Sequence, residues 1–283
     1  MAVFVPAAVI TDAGGVKIGR KCRRRRFFDY ICIDMATIGI FDSGSGGLSV
    51  YRELVKVLPK ERYVYFSDNA HCPYGEKTAE YIQDRARAIT DILLGMGADI
   101  IVVACNTATA AAIATLRAEY PEVPFIGMEP AVKPAALGTK SGVIGVLATA
   151  GTLKGSKYLK TRGLYEDDVK IVEHVGQGFV ELVEGGILDG PQAESVVRAS
   201  LQPLLDAGAD TIVLGCTHYP FLRPVIEKLA GAGVKVIDPA PAVARQTVRV
   251  LRERGIETGQ GPFSVDLYFS GEPDSLQRIF ALV

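Results

Sequence analysis

Leu93-Leu94-Gly95-Met96-Gly97-Ala98-Asp99-Ile100-Ile101-Val102-Val103-Ala104-Cys105 is echoed by Leu204-Leu205-Asp206-Ala207-Gly208-Ala209-Asp210-Thr211-Ile212-Val213-Leu214-Gly215-Cys216. The offset is constant, and Cys105 falls on Cys216. Each copy reads as the end of a helix, a Gly-Ala-Asp turn and a short β-branched strand that stops on a cysteine. A fainter echo pairs Ile38-Gly39-Ile40-Phe41-Asp42-Ser43 with Ile144-Gly145-Val146-Leu147-Ala148-Thr149. Two elements repeated in the same order predict two similar lobes rather than one sheet.

Outward from the repeat, short apolar runs alternate with amphipathic stretches, the pattern of βα units around a mainly parallel sheet. The predicted strands are 37–41, 63–67, 99–104, 142–147, 169–173, 211–215 and 235–237. Ile82, Ala86, Ile89 and Leu93 recur at helical spacing and predict a helix over 78–95. Pro191 suits the first turn of another helix, through Val196, Val197 and Leu201. The expected fold class is therefore α/β, with two pseudo-symmetric lobes of parallel sheet flanked by helices. The lobes are expected at 35–130 plus 240–283 and at 131–239, with 1–34 a separate extension. In open α/β sheets ligands bind beyond the carboxyl ends of the strands, where Asp42, Cys105, Thr149 and Cys216 all fall. Facing lobes would set the two cysteines on opposite sides of one cleft.

Composition narrows the partner. With 48% hydrophobic and 22% charged residues, a chain of 283 residues can bury a full core. A formal net charge of −1 offers no general attraction to nucleic acid or anionic lipid, so a small-molecule substrate fits better. No apolar run approaches the ~18 residues of a membrane helix. The five scattered cysteines form no disulfide framework, and reduced thiols in a cytoplasmic setting are expected. In 1–34, Lys17, Arg20, Lys21 and Arg23 to Arg26 face only Asp12, Asp29 and Asp34. Phe27-Phe28-Asp29-Tyr30 follows the basic cluster without a small-residue cleavage site, so this is not a secretory signal. It reads as an untranslated start upstream of Met35 or as a regulatory arm.

Inverting an amino-acid α-carbon needs a base on one face and an acid on the other, and two opposed thiols serve in both directions. Each cysteine precedes an expected helix start, Asn106-Thr107-Ala108 and Thr217-His218-Tyr219-Pro220, where N–H groups favour a thiolate. His218 can orient or protonate a reacting group, and Glu184 ends the run Phe179-Val180-Glu181-Leu182-Val183-Glu184. His71 and His174 read as structural. A lone cysteine is most often a small buried hydrophobe, but two at equivalent strand ends are harder to explain that way. Zinc ligation by Cys105, Cys216 and His218 lacks a second close ligand pair. The glycine-rich turn Asp42-Ser43-Gly44-Ser45-Gly46-Gly47 fails as a dinucleotide fingerprint, because Ser49 stands where the third glycine belongs, and no Gly-Lys pair makes a phosphate loop.

In order along the chain, Phe41-Asp42-Ser43-Gly44-Ser45-Gly46-Gly47, Pro73-Tyr74-Gly75, Ala104-Cys105-Asn106-Thr107 and Gly215-Cys216-Thr217-His218-Tyr219-Pro220 resemble the motifs of glutamate racemases, over roughly 38–220. The resemblance implies a two-lobed enzyme that interconverts L- and D-glutamate without pyridoxal phosphate or metal and supplies D-glutamate for peptidoglycan. It implies that Cys216 deprotonates L-glutamate and Cys105 D-glutamate, assisted by Asp42, His218 and Glu184. Substrate contacts are implied for Asp42, Ser43, Tyr74, Gly75, Asn106, Thr107, Thr149, Thr217 and His218. Some members with N-terminal extensions respond to a cell-wall precursor, and some form homodimers. None of the four motifs holds Arg or Lys, so neutral N–H, hydroxyl and amide donors would have to hold both substrate carboxylates. A racemase of aspartate or hydantoins, a Cys216/His218 hydrolase and an anion-clamping binding protein stay open as alternatives.

Overall fold

The computed structural model describes residues 35–259 and 261–283; the extension expected at 1–34 lies outside them. Among the described residues nine strands form two wholly parallel sheets. In chain order they are β1 (Thr37–Asp42), β2 (Arg62–Ser67), β3 (Ile100–Val103), β4 (Phe125–Gly127), β5 (Val143–Ala148), β6 (Lys170–Val175), β7 (Thr211–Gly215), β8 (Lys235–Ile237) and β9 (Ser264–Phe269). The first sheet has the order β4-β3-β1-β2-β9 and the second β6-β5-β7-β8. Reversing the second gives β8-β7-β5-β6, which matches β4-β3-β1-β2, with β9 added to the first sheet alone.

The sequence repeat persists at the level of register. Ile38 pairs with Ile100 across β1 and β3, and their counterparts Ile144 and Thr211 pair across β5 and β7. The Gly-Ala-Asp turn is the cause. The helix Ala79–Gly95 ends with the Ala98 N–H donating to the Leu93 carbonyl and Gly97 N–H to Leu94. The helix Gly190–Asp206 ends alike, with Ala209 donating to Leu204 and Gly208 to Leu205. Both glycines sit at φ +87°, the left-handed conformation this helix-closing motif requires. Asp99 then accepts the Thr37 N–H at 2.8 Å, while Asp210 accepts from Lys140 and Ser141 N–H at 2.6 and 2.7 Å. Each aspartate ties the entrance of one central strand to the next.

Space for the helices comes from a second equivalent pair. A Cβ on Gly39 would lie 3.3 Å from Leu93 Cδ1, and one on Gly145 2.9 Å from Leu204 Cδ1. The glycine in each central strand lets its helix pack against the sheet. The sequence signals missed β4 and β9. β4 has three residues, too few for a periodicity, and β9 is an edge strand with polar Ser264 and Asp266 between its apolar positions. The core is continuous across the lobes: Ile38, Ile40, Leu54 and Tyr63 share a buried cluster with Leu147, Phe179, Leu204 and Leu214. Among the described residues no helix is long and apolar enough to cross a membrane.

Candidate active site

β1 ends on Asp42, β5 and β7 stop immediately before Thr149 and Cys216, and β3 stops two residues short of Cys105. Two wholly parallel sheets with their carboxyl ends at one junction bring these four together. The junction is dry. Asp42 is fully buried, and Cys105 and Cys216 are 5% and 6% exposed. Ser43, Tyr74, Gly75, Cys105, Asn106, Thr107, Thr149, Cys216, Thr217 and His218 line a common cavity of about 10 Å³, together with Pro73 and Val180.

Asp42 and Glu184 stand behind this lining. Asp42 Oδ2 accepts the N–H groups of Gly44 and Gly47, both at 3.0 Å, and Oδ1 accepts the Thr217 hydroxyl at 3.3 Å. It closes the glycine-rich turn and ties it to the opposite lobe. Burial raises its pKa above the usual carboxylate range, against the pull of the nearby His218 charge and the two N–H donors.

The two thiols sit in different surroundings. Cys105 caps the helix Asn106–Glu119, its sulfur accepting the Ala108 N–H at 3.4 Å and lying 3.7 Å from Ser43 Oγ. Burial, followed by the negative charge of Asp42, pushes the Cys105 thiol well up, and the N–H does not offset this. Cys216 lies 3.7 Å from His218 Nδ1, and His218 Nε2 lies 2.7 Å from Glu184 Oε1. An ionised carboxylate only accepts, so Glu184 fixes the proton on Nε2 and leaves Nδ1 to exchange with the sulfur. Burial disfavours the imidazolium, but the partnership with Cys216 and Glu184 outweighs it and raises His218 well above its usual value. Burial likewise opposes ionisation of Glu184, yet His218, the Ser275 hydroxyl and the Ser45 N–H together hold its pKa at about 2.

The expected helix start after Cys216 needs correction. Thr217-His218 lead into a 3₁₀ turn, Tyr219–Leu222, and the α-helix begins only at Arg223. Pro220 and Pro224 remove N–H donors from the first turns, so no α-helical N-terminus faces Cys216. His218 supplies the positive charge that the helix supplies N–H groups for at Cys105.

Asn106 carries the clearest mark of a ligand. The residue is 3% exposed, and neither its amide nitrogen nor its carbonyl oxygen has a hydrogen-bond partner. Burying unpaired polar atoms costs about 1–3 kcal/mol each unless something fills the cavity beside them. The Thr107 hydroxyl reaches Thr149 at 2.9 Å and Thr152 at 3.3 Å, a bridge between lobes. The Tyr74 hydroxyl donates to Asp68, which is also gripped by Arg85 at 2.7 and 2.9 Å, so Tyr74 lines the cavity with its ring rather than its hydroxyl.

Sequence reasoning missed Ser45, Asp68, Cys72, Thr152 and Ser275. Cys72 abuts the Pro73-Tyr74-Gly75 motif and was legible there as a third nearby thiol. Ser275 carried no signal, being far along the chain on the helix Asp274–Phe280. The zinc set weighed above, Cys105, Cys216 and His218, is not the one the fold assembles. Among the described residues the cluster with metal-ligand geometry is Cys72, Glu184 and His218.

The chain has counterparts among known proteins. Residues 38–247 match the family described as Asp/Glu/Hydantoin racemase. The chain belongs to the Asp/Glu/hydantoin racemase family. This racemase-family chain is 47% identical over 253 residues to a glutamate racemase of Pseudomonas aeruginosa, covering 89% of this chain and 96% of the relative. Among solved structures it is similar to a glutamate racemase isoform from Bacillus anthracis (TM-score 0.79, 34% identity, covering 87% and 92%). It is also similar to the Escherichia coli glutamate racemase in complex with L-glutamate and the activator UDP-MurNAc-Ala (TM-score 0.78, 32% identity, covering 88% and 94%). As a member of the racemase family the chain is an isomerase, with the two-lobed α/β fold of these neighbours.

Proposed function

We propose that the chain interconverts L- and D-glutamate by a two-thiol mechanism without pyridoxal phosphate. The observation that carries this reading is the pair Cys105 and Cys216 lining one cavity, with His218 beside the second thiol alone. The sulfur nearest a cation is suited to act as base, and the thiol held neutral by burial is suited to act as acid. Cys216 therefore takes the α-proton of L-glutamate, and Cys105 delivers its proton to the opposite face. The reverse direction starts from the opposite protonation state. Asn106, Ser43, Thr107 and the Thr217 N–H offer neutral donors, and in a cavity this dry such bonds to substrate carboxylates are strong.

Substrate identity is supported by the named relatives, one solved with L-glutamate. The activator in the Escherichia coli complex supports a role in cell-wall precursor supply and a cell-wall precursor as effector, in the cytoplasm where thiols stay reduced. The lobes assigned to this mechanism are 35–130 plus 240–283 and 131–239, a division the membership of the two sheets supports.

The test is incubation with L-glutamate in deuterium oxide, following optical rotation and α-deuteration. α-Deuterated D-glutamate is expected from the wild type, with Cys105→Ser and Cys216→Ser each slowing racemisation by about 10²–10⁴-fold. Full racemisation in Cys105→Ser would overturn the two-thiol mechanism, and no α-exchange in the wild type would move a Cys216/His218 hydrolase forward. Aspartate turned over as fast as glutamate would reassign the substrate.

A further inference from the structure

A third thiol stands beside the His218–Glu184 pair with no part in the proton transfers above. Cys72, Glu184 and His218 each offer one ligand atom, and those atoms all lie within 4.8 Å of one another. A Cβ placed on Gly44 would lie 3.0 Å from Cys72 Sγ and 3.2 Å from His218 Nε2, and closer still to Glu184 Oε1. The three ligand atoms therefore converge on one side of the Gly44 backbone. A tetrahedral zinc ion holds sulfur, nitrogen and oxygen ligands about 2.0–2.3 Å away, which spaces the ligand atoms about 3.3–3.8 Å apart. Side-chain rotation that parts Nε2 from Oε1 beyond their present 2.7 Å and draws both toward Cys72 Sγ brings the three atoms into that range.

A way in exists on the side away from the substrate cavity. A cavity of about 570 Å³ is lined by Cys72 and Glu184 and by Glu181, Glu272, Asp274 and Arg278. Four carboxylates against one guanidinium make this vestibule attractive to cations and unattractive to an anionic amino acid. The guanidinium is also occupied, donating to the Glu184 carbonyl at 2.9 Å.

We propose that Cys72, Glu184 and His218 form a binding site for a thiophilic divalent cation of the zinc class, entered through the acidic vestibule, and that occupancy switches the enzyme off. Binding releases two protons to solvent, one from the Cys72 thiol as the metal–sulfur bond forms and one from His218 Nε2 as the metal–nitrogen bond forms, and leaves a water as fourth ligand. His218 Nε2 is then coordinated and its contact with Glu184 is lost. Cys72 comes from the segment after β2 and the other two ligands from the opposite lobe, so the ion also ties the lobes together. The inhibition rests on the proposed role of His218, whereas the binding does not.

Isothermal titration of the metal-free full chain with zinc chloride separates the two. Zinc is expected to bind one per chain, with Cys72→Ser and Cys72→Ala both weakening it by about tenfold or more. Cys216→Ser is expected to retain affinity within about threefold, because its sulfur is not a ligand. Circular dichroism of each variant verifies that it is folded. Racemisation by the wild type should fall with zinc occupancy, and the Cys72 variants should lose that sensitivity by the same factor as their affinity, each measured against its own metal-free rate. Unchanged zinc affinity in both Cys72 variants, or equal loss in Cys216→Ser, overturns the site. Tight binding with no inhibition refutes the switch and keeps the site. A chain that binds zinc but racemises nothing refutes the proposed activity alone.

Discussion

At the residue scale, the site is governed by which polar atoms are partnered. Asn106 is buried with both amide atoms unpaired, so Asn106→Ala removes a cost to the empty protein and a contact from the substrate. The expected outcome is a KM raised by about tenfold or more with a denaturation midpoint equal to or above that of the wild type. A midpoint lowered in step with activity would make Asn106 structural instead. Glu184 gives a pH signature. Its pKa falls from an ordinary 4.5 to about 2 on folding, so as pH drops the unfolded chain takes up the proton first. The stability it contributes is complete above about 4.5 and is lost as pH falls toward about 2. Glu184→Gln should flatten that part of the stability profile in urea titrations across this range, while racemisation falls because the His218 tautomer is no longer fixed.

At the scale of elements, glycines decide how closely the repeated units pack. Gly145→Ala would push a methyl to 2.7 Å from Ile212 Cδ1 and 2.9 Å from Leu204 Cδ1, and should cost about 1–3 kcal/mol in chemical denaturation. Gly46 poses the opposite case. Its Cβ would enter the ring of His218, so Gly46→Ala displaces a side chain of the proton relay. Its racemisation rate should fall far more than its stability, a split readable by comparing kcat with the denaturation midpoint. The helix-closing turns at Gly97 and Gly208 were legible because they are local. A helix end, a left-handed glycine and an aspartate that anchors the next strand lie within a few residues of one another. β9 was not legible, since its place beside β2 depends on a chain segment that returns after the second lobe is complete.

At the scale of the molecule, the lobes meet through a shared core and a set of polar ties: Ser45 N–H to Glu184 at 2.8 Å, Ser49 hydroxyl to the Thr217 carbonyl at 2.9 Å, and Thr107 to Thr149. The cavity between the thiols, about 10 Å³, is too small for an amino acid. Glutamate therefore enters only when the lobes part. Hydrogen exchange at the Ser45 amide, which bridges the lobes, should report this opening and slow when substrate is present. Glutamate at 100 times its Kd should add about 2.7 kcal/mol of stability. Exchange at Ser45 as slow as that of the β1 core without substrate would mean that another path admits it.

The sequence by itself determined the duplicated strand-turn-helix units, their order and the two thiols at equivalent strand ends. Those depend on short-range signals: hydrophobic period, a left-handed glycine and an aspartate at a strand entrance. Only the tertiary structure decided that the His218 ring beside Cys216 is gripped by Glu184, while the buried Asp42 carboxylate raises the Cys105 thiol. It also decided that Cys72, Glu184 and His218 converge beside Gly44. Cys72 lies more than a hundred positions from Glu184 and His218, and the spacing within either lobe carries no record of how the two lobes meet.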